Sequence, residues 1–249
     1  MTSMTQEFSY VEYTRDSKED RTGQVIREMP LKVYVNDEEL PMLLCSPDKM
    51  DELAVGFLWS ENVVDTKEEV TKVVVDETKG TVWVTADRDS EFIKGLLFKR
   101  MITSGSVSAQ PVIADVKVTP EQVISLMTGF QNSSALYKST HGVHSAALCS
   151  PEAIEVFRED IGRYNAVDKI LGHCFINGID PAGKILVTSG RISSEALLKT
   201  ARKGIPVIVS LTSVTDLALR LADELNITLV GFVRGGKMNV YTHGERITR

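Results

Sequence analysis

From Lys184 to Gly236 the chain alternates short apolar runs with amphipathic stretches, and no other feature restricts its fold so tightly. The runs "KILVTSG", "IPVIVSL" and "ITLVGFVRGG" are separated by "SSEALLKTARKG" and "SVTDLALRLADELN". Strand-length apolar runs joined by helices predict a βαβαβ unit with parallel pairing, because parallel strands need long crossovers and are covered on both faces. Right-handed crossovers then bring the C-terminal ends of the three strands to one edge of the sheet. That edge carries Ser189-Gly190-Arg191, Leu211-Thr212-Ser213 and Arg234-Gly235-Gly236. Glycines let backbone N–H groups approach a ligand, the two following helix N-termini favour negative charge, and the arginines supply forked donors for phosphate oxygens. Together these predict an anion or nucleotide site. Taken singly, Gly190 and the Gly235-Gly236 pair also read as turn glycines, and the arginines as solvated charges. There is no Walker A sequence, and "RGGKMN" is not a dinucleotide fingerprint.

The first hundred residues have a different texture. "LKVYV" and "ELPMLL" flank Asn36-Asp37, and "VTKVVVD" and "GTVWVTA" flank Thr78-Lys79-Gly80, which predicts two hairpins. Between them "CSPDKMDELAVGFLWSENVV" predicts a helix with Ser46 as its cap, Pro47 in the first position and Leu53, Phe57 and Leu58 on its apolar stripe. "TPEQVISLMTGF" predicts another, with Thr119 and Gln122 as a capping box and Pro120 between them.

The stretch "REDIGRYNAVDK" crowds charge at the mouth of a predicted helix that starts near Gly162. Ala166, Val167, Ile170, Leu171, Cys174 and Phe175 form its apolar stripe, with Asn165, Asp168 and Lys169 toward the other side. Arg163 sits where the helix dipole disfavours a cation, so it requires a partner, either a neighbouring acid or an anionic ligand. Upstream, His141 and His144 in "STHGVHSAALC" read as a polar loop entering a buried segment rather than as a metal pair.

Composition narrows the function classes. The 249 residues are 43% hydrophobic and carry a formal charge of −6, which argues against a general nucleic-acid binder. No run approaches the roughly 20 apolar residues of a membrane span, so a cytoplasmic protein is expected. Three scattered cysteines, Cys45, Cys149 and Cys174, form neither a disulfide framework nor a zinc knuckle, and no metal site is expected.

Four blocks, "CSPDKMDELAVGFLWSENVV", "THGVHSAALC", "REDIGRYNAVDKILG" and the long run from "SGRISSEALL" to "GGKMNVYTH", resemble in order the signature blocks of the formate dehydrogenase accessory sulfurtransferase family, FdhD. The resemblance spans about Arg21 to Ile247. It implies an α/β protein (α+β overall), with a small β-rich domain containing one helix over residues 1–115 and a cytidine-deaminase-like α/β domain over residues 116–249, assembled as a homodimer. It further implies that sulfur is accepted as a persulfide from a cysteine desulfurase. That sulfur would pass to the molybdenum or tungsten bis-pyranopterin guanine dinucleotide cofactor, held as a bound substrate, for the catalytic subunit of formate dehydrogenase. The residues expected to contact this cofactor are His144, Asp160, Arg163, Asn165, Ser189, Gly190, Arg191, Thr212, Arg234, Gly235 and Gly236. Asp160 and Asn165 are expected to order the loop, and Arg163 to meet the anion. The deaminase-like fold does not imply deamination: His144 is followed by Ser145 and Ala146 where a zinc deaminase needs its glutamate, and there is no Cys-x-x-Cys pair.

One departure bears on mechanism. After "KRMITSG" the family continues into a cysteine-bearing loop, whereas this chain runs "KRMITSGSVSAQPVIAD", as though a loop between Gly105 and Ser106 were missing. Ser104, Ser106 and Ser108 cannot replace a thiolate as a carrier of sulfane sulfur. The catalytic cysteine is therefore unassigned, and the alternative is a cofactor- or guanine-nucleotide-binding module that does not relay sulfur.

Overall fold

A computed structural model describes residues 3–93, 95, 109–114 and 116–248. The join between Gly105 and Ser106 lies outside the described residues. The chain opens with an antiparallel ribbon, β1 (Thr5–Tyr13) and β2 (Lys18–Ile26), that pairs with no other strand among the described residues. A five-stranded sheet follows, in which β3 (Met29–Val35) pairs with β4 (Glu38–Glu39), β5 (Leu43–Cys45) and β7 (Thr81–Ala86), and β7 with β6 (Val70–Asp76). Both expected hairpins are present. The first turns on Asn36 and Asp37 at φ of 48° and 69°, the left-handed pair that a two-residue turn needs.

Helix α1 (Met50–Ser60) lies on this sheet, burying Leu53, Ala54, Phe57 and Leu58 against Leu31, Val33, Val82 and Val84. Its start differs from the expectation. Lys49 in the left-handed region precedes the first helical residue, and Ser46 does not cap. The Ser46 hydroxyl instead accepts from the Ile161 N–H at 3.1 Å, because the chain before α1 is docked on the second half of the molecule.

That half is a six-stranded sheet in the order β13-β12-β11-β10-β8-β9. β8 (His144–Cys149) and β9 (Ile154–Asp160) form an antiparallel pair; β10 (Ile185–Thr188), β11 (Val207–Ser210) and β12 (Thr228–Arg234) are parallel; β13 (Lys237–Val240) closes the edge. Every residue of β10 and β11 is buried, as continuous apolar runs require when both faces are covered. On one face lies α2 (Pro120–Ser133), which begins with the expected Thr119/Gln122 capping box and packs Val123, Leu126, Met127 and Phe130 on Val187, Val209 and Val230. The short α3 (Ala135–Thr140) follows it. On the other face α4 (Arg163–Asn177), α5 (Ser194–Ala201) and α6 (Asp216–Glu224) cover Leu148, Leu186, Ile208 and Leu229. None of the described helices is long and apolar enough to cross a membrane.

α4 corrects the one-stripe reading. Asp168 is 2% exposed and Lys169 0%, because α1 packs along Asp168 and Gly172 while Lys169 meets Asp160 of β9. The approach is close enough that a Cβ on Gly56 would lie 1.8 Å from the Asp168 carbonyl oxygen, and one on Gly172 1.8 Å from that of Glu52. Charge is buried along this seam in matched groups. The Asp168 carboxylate accepts from Lys199 Nζ at 3.0 Å and from the Ser60 hydroxyl at 2.7 Å, while Glu52 pairs with Arg158 (2.8 Å) and His173 (2.9 Å).

Candidate functional site

The edge formed by the C-terminal ends of β10 and β11 is built of hydroxyls and backbone. Leaving β10, Ser189 donates its N–H to the Ser145 carbonyl and accepts the Ser145 N–H on its Oγ at 2.9 Å, which ties the strand end to β8. Because β8 runs antiparallel to β10, this register carries His144 to the same edge, where its Nδ1 lies 3.3 Å from Ser189 Oγ. The Gly190 carbonyl accepts from Ser210 Oγ (2.8 Å), and Thr212 Oγ1 donates to the Ser189 carbonyl (3.4 Å). These hydroxyls satisfy the strand-end backbone that a buried edge would otherwise leave unpaired.

Arg163 enters from the first position of α4. Gly190 has no room for a side chain: a Cβ there would stand 2.9 Å from Arg163 Cβ. The guanidinium lies 4.5 Å over the Tyr164 ring, and its Nη2 donates to the Tyr164 hydroxyl at 3.0 Å. That hydroxyl is 2.7 Å from Ser193 Oγ, the N-cap of α5. Arg163 Nε is buried without a hydrogen-bond partner. An unpaired buried donor is costly, and an acceptor oxygen arriving at this edge would relieve it. Burial, and secondarily the positive Arg163, hold the His144 pKa below its usual value of 6.5, so the imidazole is neutral at pH 7. A neutral histidine, a cation with a spare donor and a small-residue backbone suit an oxyanion better than a metal ion.

Asp160 and Asn165 stand one layer behind. Asp160 is 0% exposed. Its Oδ1 accepts from Gly162 N–H (2.9 Å) and Asn165 Nδ2 (2.8 Å); its Oδ2 accepts from Ser46 N–H (3.1 Å) and meets Lys169 Nζ at 2.7 Å. With four donors on two oxygens, the carboxylate orders the loop and has no lone pair to offer a ligand. Asn165 also donates to the Leu44 carbonyl at 2.7 Å.

The remaining expected residues are not drawn into this cluster. Arg191 is exposed and makes no hydrogen bond or ion pair among the described residues. Arg234 is exposed, with its guanidinium 5.7 Å over the Phe232 ring. Gly235 and Gly236, at φ of 58° and 71°, make the tight turn from β12 into β13, so the turn reading of this pair holds. Sequence reasoning missed Tyr164 and Ser193. The signal available for Tyr164 was an aromatic residue directly after an arginine that lacked a partner.

A model of the FdhD/NarQ family matches residues 26–248. The chain belongs to this family. The Sulfur carrier protein FdhD of Bacillus pumilus is 43% identical over 240 residues, covering 92% of each chain, and that of Bacillus subtilis is 41% identical over 241 residues, covering 92% of this chain and 91% of the relative. Among solved structures, a chain assigned as a formate dehydrogenase accessory protein of Desulfotalea psychrophila superposes with a TM-score of 0.83 at 28% identity, covering 99% of this chain and 100% of that one.

Proposed function

We propose that the chain is a sulfur carrier for formate dehydrogenase, with the Arg163 edge holding the anionic half of the bis-pyranopterin guanine dinucleotide that receives the sulfur. The molybdenum- or tungsten-bearing cofactor is the substrate here, and a cysteine desulfurase is the source of persulfide sulfur. Family membership supports sulfur carriage, and one local observation carries the assignment of the edge. Arg163 Nε is buried without a partner beside Gly190, where any side chain would collide. A pyrophosphate oxygen would satisfy that donor, and the half-buried neutral His144 would add a hydrogen bond rather than a second charge. The protein's own work at this edge is therefore to bind and orient an anion.

Calorimetric titration of GDP tests the assignment. Wild type should bind, and Arg163→Ala should lose roughly 1.5–3 kcal/mol, the value of a hydrogen bond to a charged group, or about a ten- to hundredfold weaker Kd. Equal affinities would remove Arg163 from the site, and no binding by wild type would remove the site.

A second reading, a cofactor-binding module that does not move sulfur, is favoured by the state of the thiols. Cys45, Cys149 and Cys174 are each 0% exposed, and burial pushes all three pKa values up to about 12. As buried, none of the three is open to a persulfide donor. Persulfide mass gain after incubation with a desulfurase and cysteine separates the readings, since only a carrier takes up the sulfur.

A further inference from the structure

An arginine at the first position of a helix is repelled by the partial positive charge of the helix N-terminus, and its long stem has many rotamers to lose. Arg163 nonetheless has a defined place. On one flank its stem fills the space that a side chain at Gly190 would need, with 2.9 Å between the two Cβ positions. On the other flank the Tyr164 ring lies under the guanidinium at 4.5 Å, and the phenol oxygen accepts from Nη2 at 3.0 Å. The same oxygen lies 2.7 Å from Ser193 Oγ, which caps α5 by accepting from Ala196 N–H. One phenol thus joins the first turns of α4 and α5, two of the helices that begin beside the strand-end edge, and it occupies one Arg163 nitrogen while leaving Nε free.

We propose that Tyr164 is a positioning residue, aiming Arg163 at the anion by holding the guanidinium over its ring, with the stem packed against Gly190, and anchoring it through Ser193. This rests on the reading of the edge as an anion site and adds what sets its geometry. Its consequence is preorganisation: the arginine is ordered before the ligand arrives, so binding does not have to order it. Tyr164 need not touch the ligand, and its effect must pass through Arg163.

The test is a double-mutant cycle on binding of GDP and of inorganic pyrophosphate, using the full chain. Tyr164→Phe keeps the ring and removes the hydroxyl, so the fold and the stacking surface are retained. It should weaken both probes by about three- to tenfold, the scale of one side chain left to be ordered on binding. Tyr164→Leu, which removes the ring as well, should approach the loss seen in Arg163→Ala. In the Arg163→Ala background, Tyr164→Phe should change nothing further, since a residue that works only through Arg163 has nothing left to aim. A purely structural role would give the same loss in both backgrounds, and that outcome overturns the proposal, as does wild-type affinity in Tyr164→Phe. Absence of binding of either probe to wild type would overturn the anion-site reading and this proposal with it. Intact wild-type binding that is indifferent to Tyr164 would overturn this proposal alone.

Discussion

Asp160→Asn changes little in shape and should be among the most damaging single substitutions in the chain. The carboxylate is fully buried, and each of its oxygens receives two donors: Gly162 N–H and Asn165 Nδ2 on one, Ser46 N–H and Lys169 Nζ on the other. An asparagine must place its amide nitrogen at one of these positions, where it faces two donors and accepts from neither. Lys169, 0% exposed, would also lose the one carboxylate it meets among the described residues, keeping the Glu159 carbonyl at 3.1 Å. Breaking one partner out of a buried ion pair costs about 3–5 kcal/mol, because the surviving charge stays buried. For a chain of this size, each kcal/mol lowers Tm by roughly 2–4 °C, so a fall of roughly 6–20 °C is expected. Thermal unfolding of the ligand-free proteins measures it, with Lys169→Met and the double variant completing the cycle. If the cost arises from the orphaned ammonium, the double variant should be clearly less destabilised than the sum of the singles. Additive losses, or a fall of only a degree or two in Asp160→Asn, would refute the account of Asp160 as a buried carboxylate that orders the loop through four donors.

Two further outcomes are expected from the seam between α1 and α4. Gly172→Ala should cost about 3 kcal/mol or more by urea denaturation, since the new Cβ would meet the Glu52 carbonyl oxygen at 1.8 Å and backbone cannot swing aside as a side chain can; a wild-type midpoint would show that the helices pack less closely. Burial alone would raise the Glu52 pKa, but hydrogen bonds and charge from Arg158 and His173 outweigh it and hold the carboxyl below its usual 4.5. A depressed carboxylate stabilises the fold above its unfolded value and loses that contribution as pH falls through the folded one. The stability gap between wild type and Glu52→Gln should therefore be full at pH 7 and shrink below pH 4.5, whereas a pH-independent gap would point to packing alone.

The parts of the fold legible in the sequence are those in which one residue pattern has one physical solution. β10, β11 and β12 appear as short apolar runs because helices cover both of their faces, and Thr119-Pro120 with Gln122 announces a helix start because two orphan N–H groups need those side chains. The ribbon β1–β2 escaped because almost all of its side chains are exposed, which removes the alternation that marks a half-buried strand. Asp168 and Lys169 misled for a related reason. A helix buried on two sides can place matched charges on the second, and periodicity then reads them as solvent-facing. Within the site, the chain order of β8 and β10 does not reveal that antiparallel register sets His144 beside Ser189. Nor does a glycine-arginine pattern distinguish Gly190, pressed against Arg163, from Gly235 and Gly236, which turn the chain from β12 into β13.

The arrangement also decides what the three cysteines can do. Sulfur transfer needs a thiolate that a donor can reach, and a thiol with a pKa near 12 is ionised in roughly one molecule in 10⁵ at pH 7. Cys45 comes nearest to a functional position, since it precedes Ser46, which is bonded to Asp160, and Asp160 is the cross-strand partner of His144. Yet that proximity works against it. Beyond burial, the Asp160 charge raises the Cys45 pKa further, and Lys169 only partly offsets it. Burial first, and the Asp160 charge second, therefore keep the Cys45 thiol protonated beside the link between Ser46 and Asp160. All three cysteines are buried, so none of them presents a thiol to a sulfur donor in this structure.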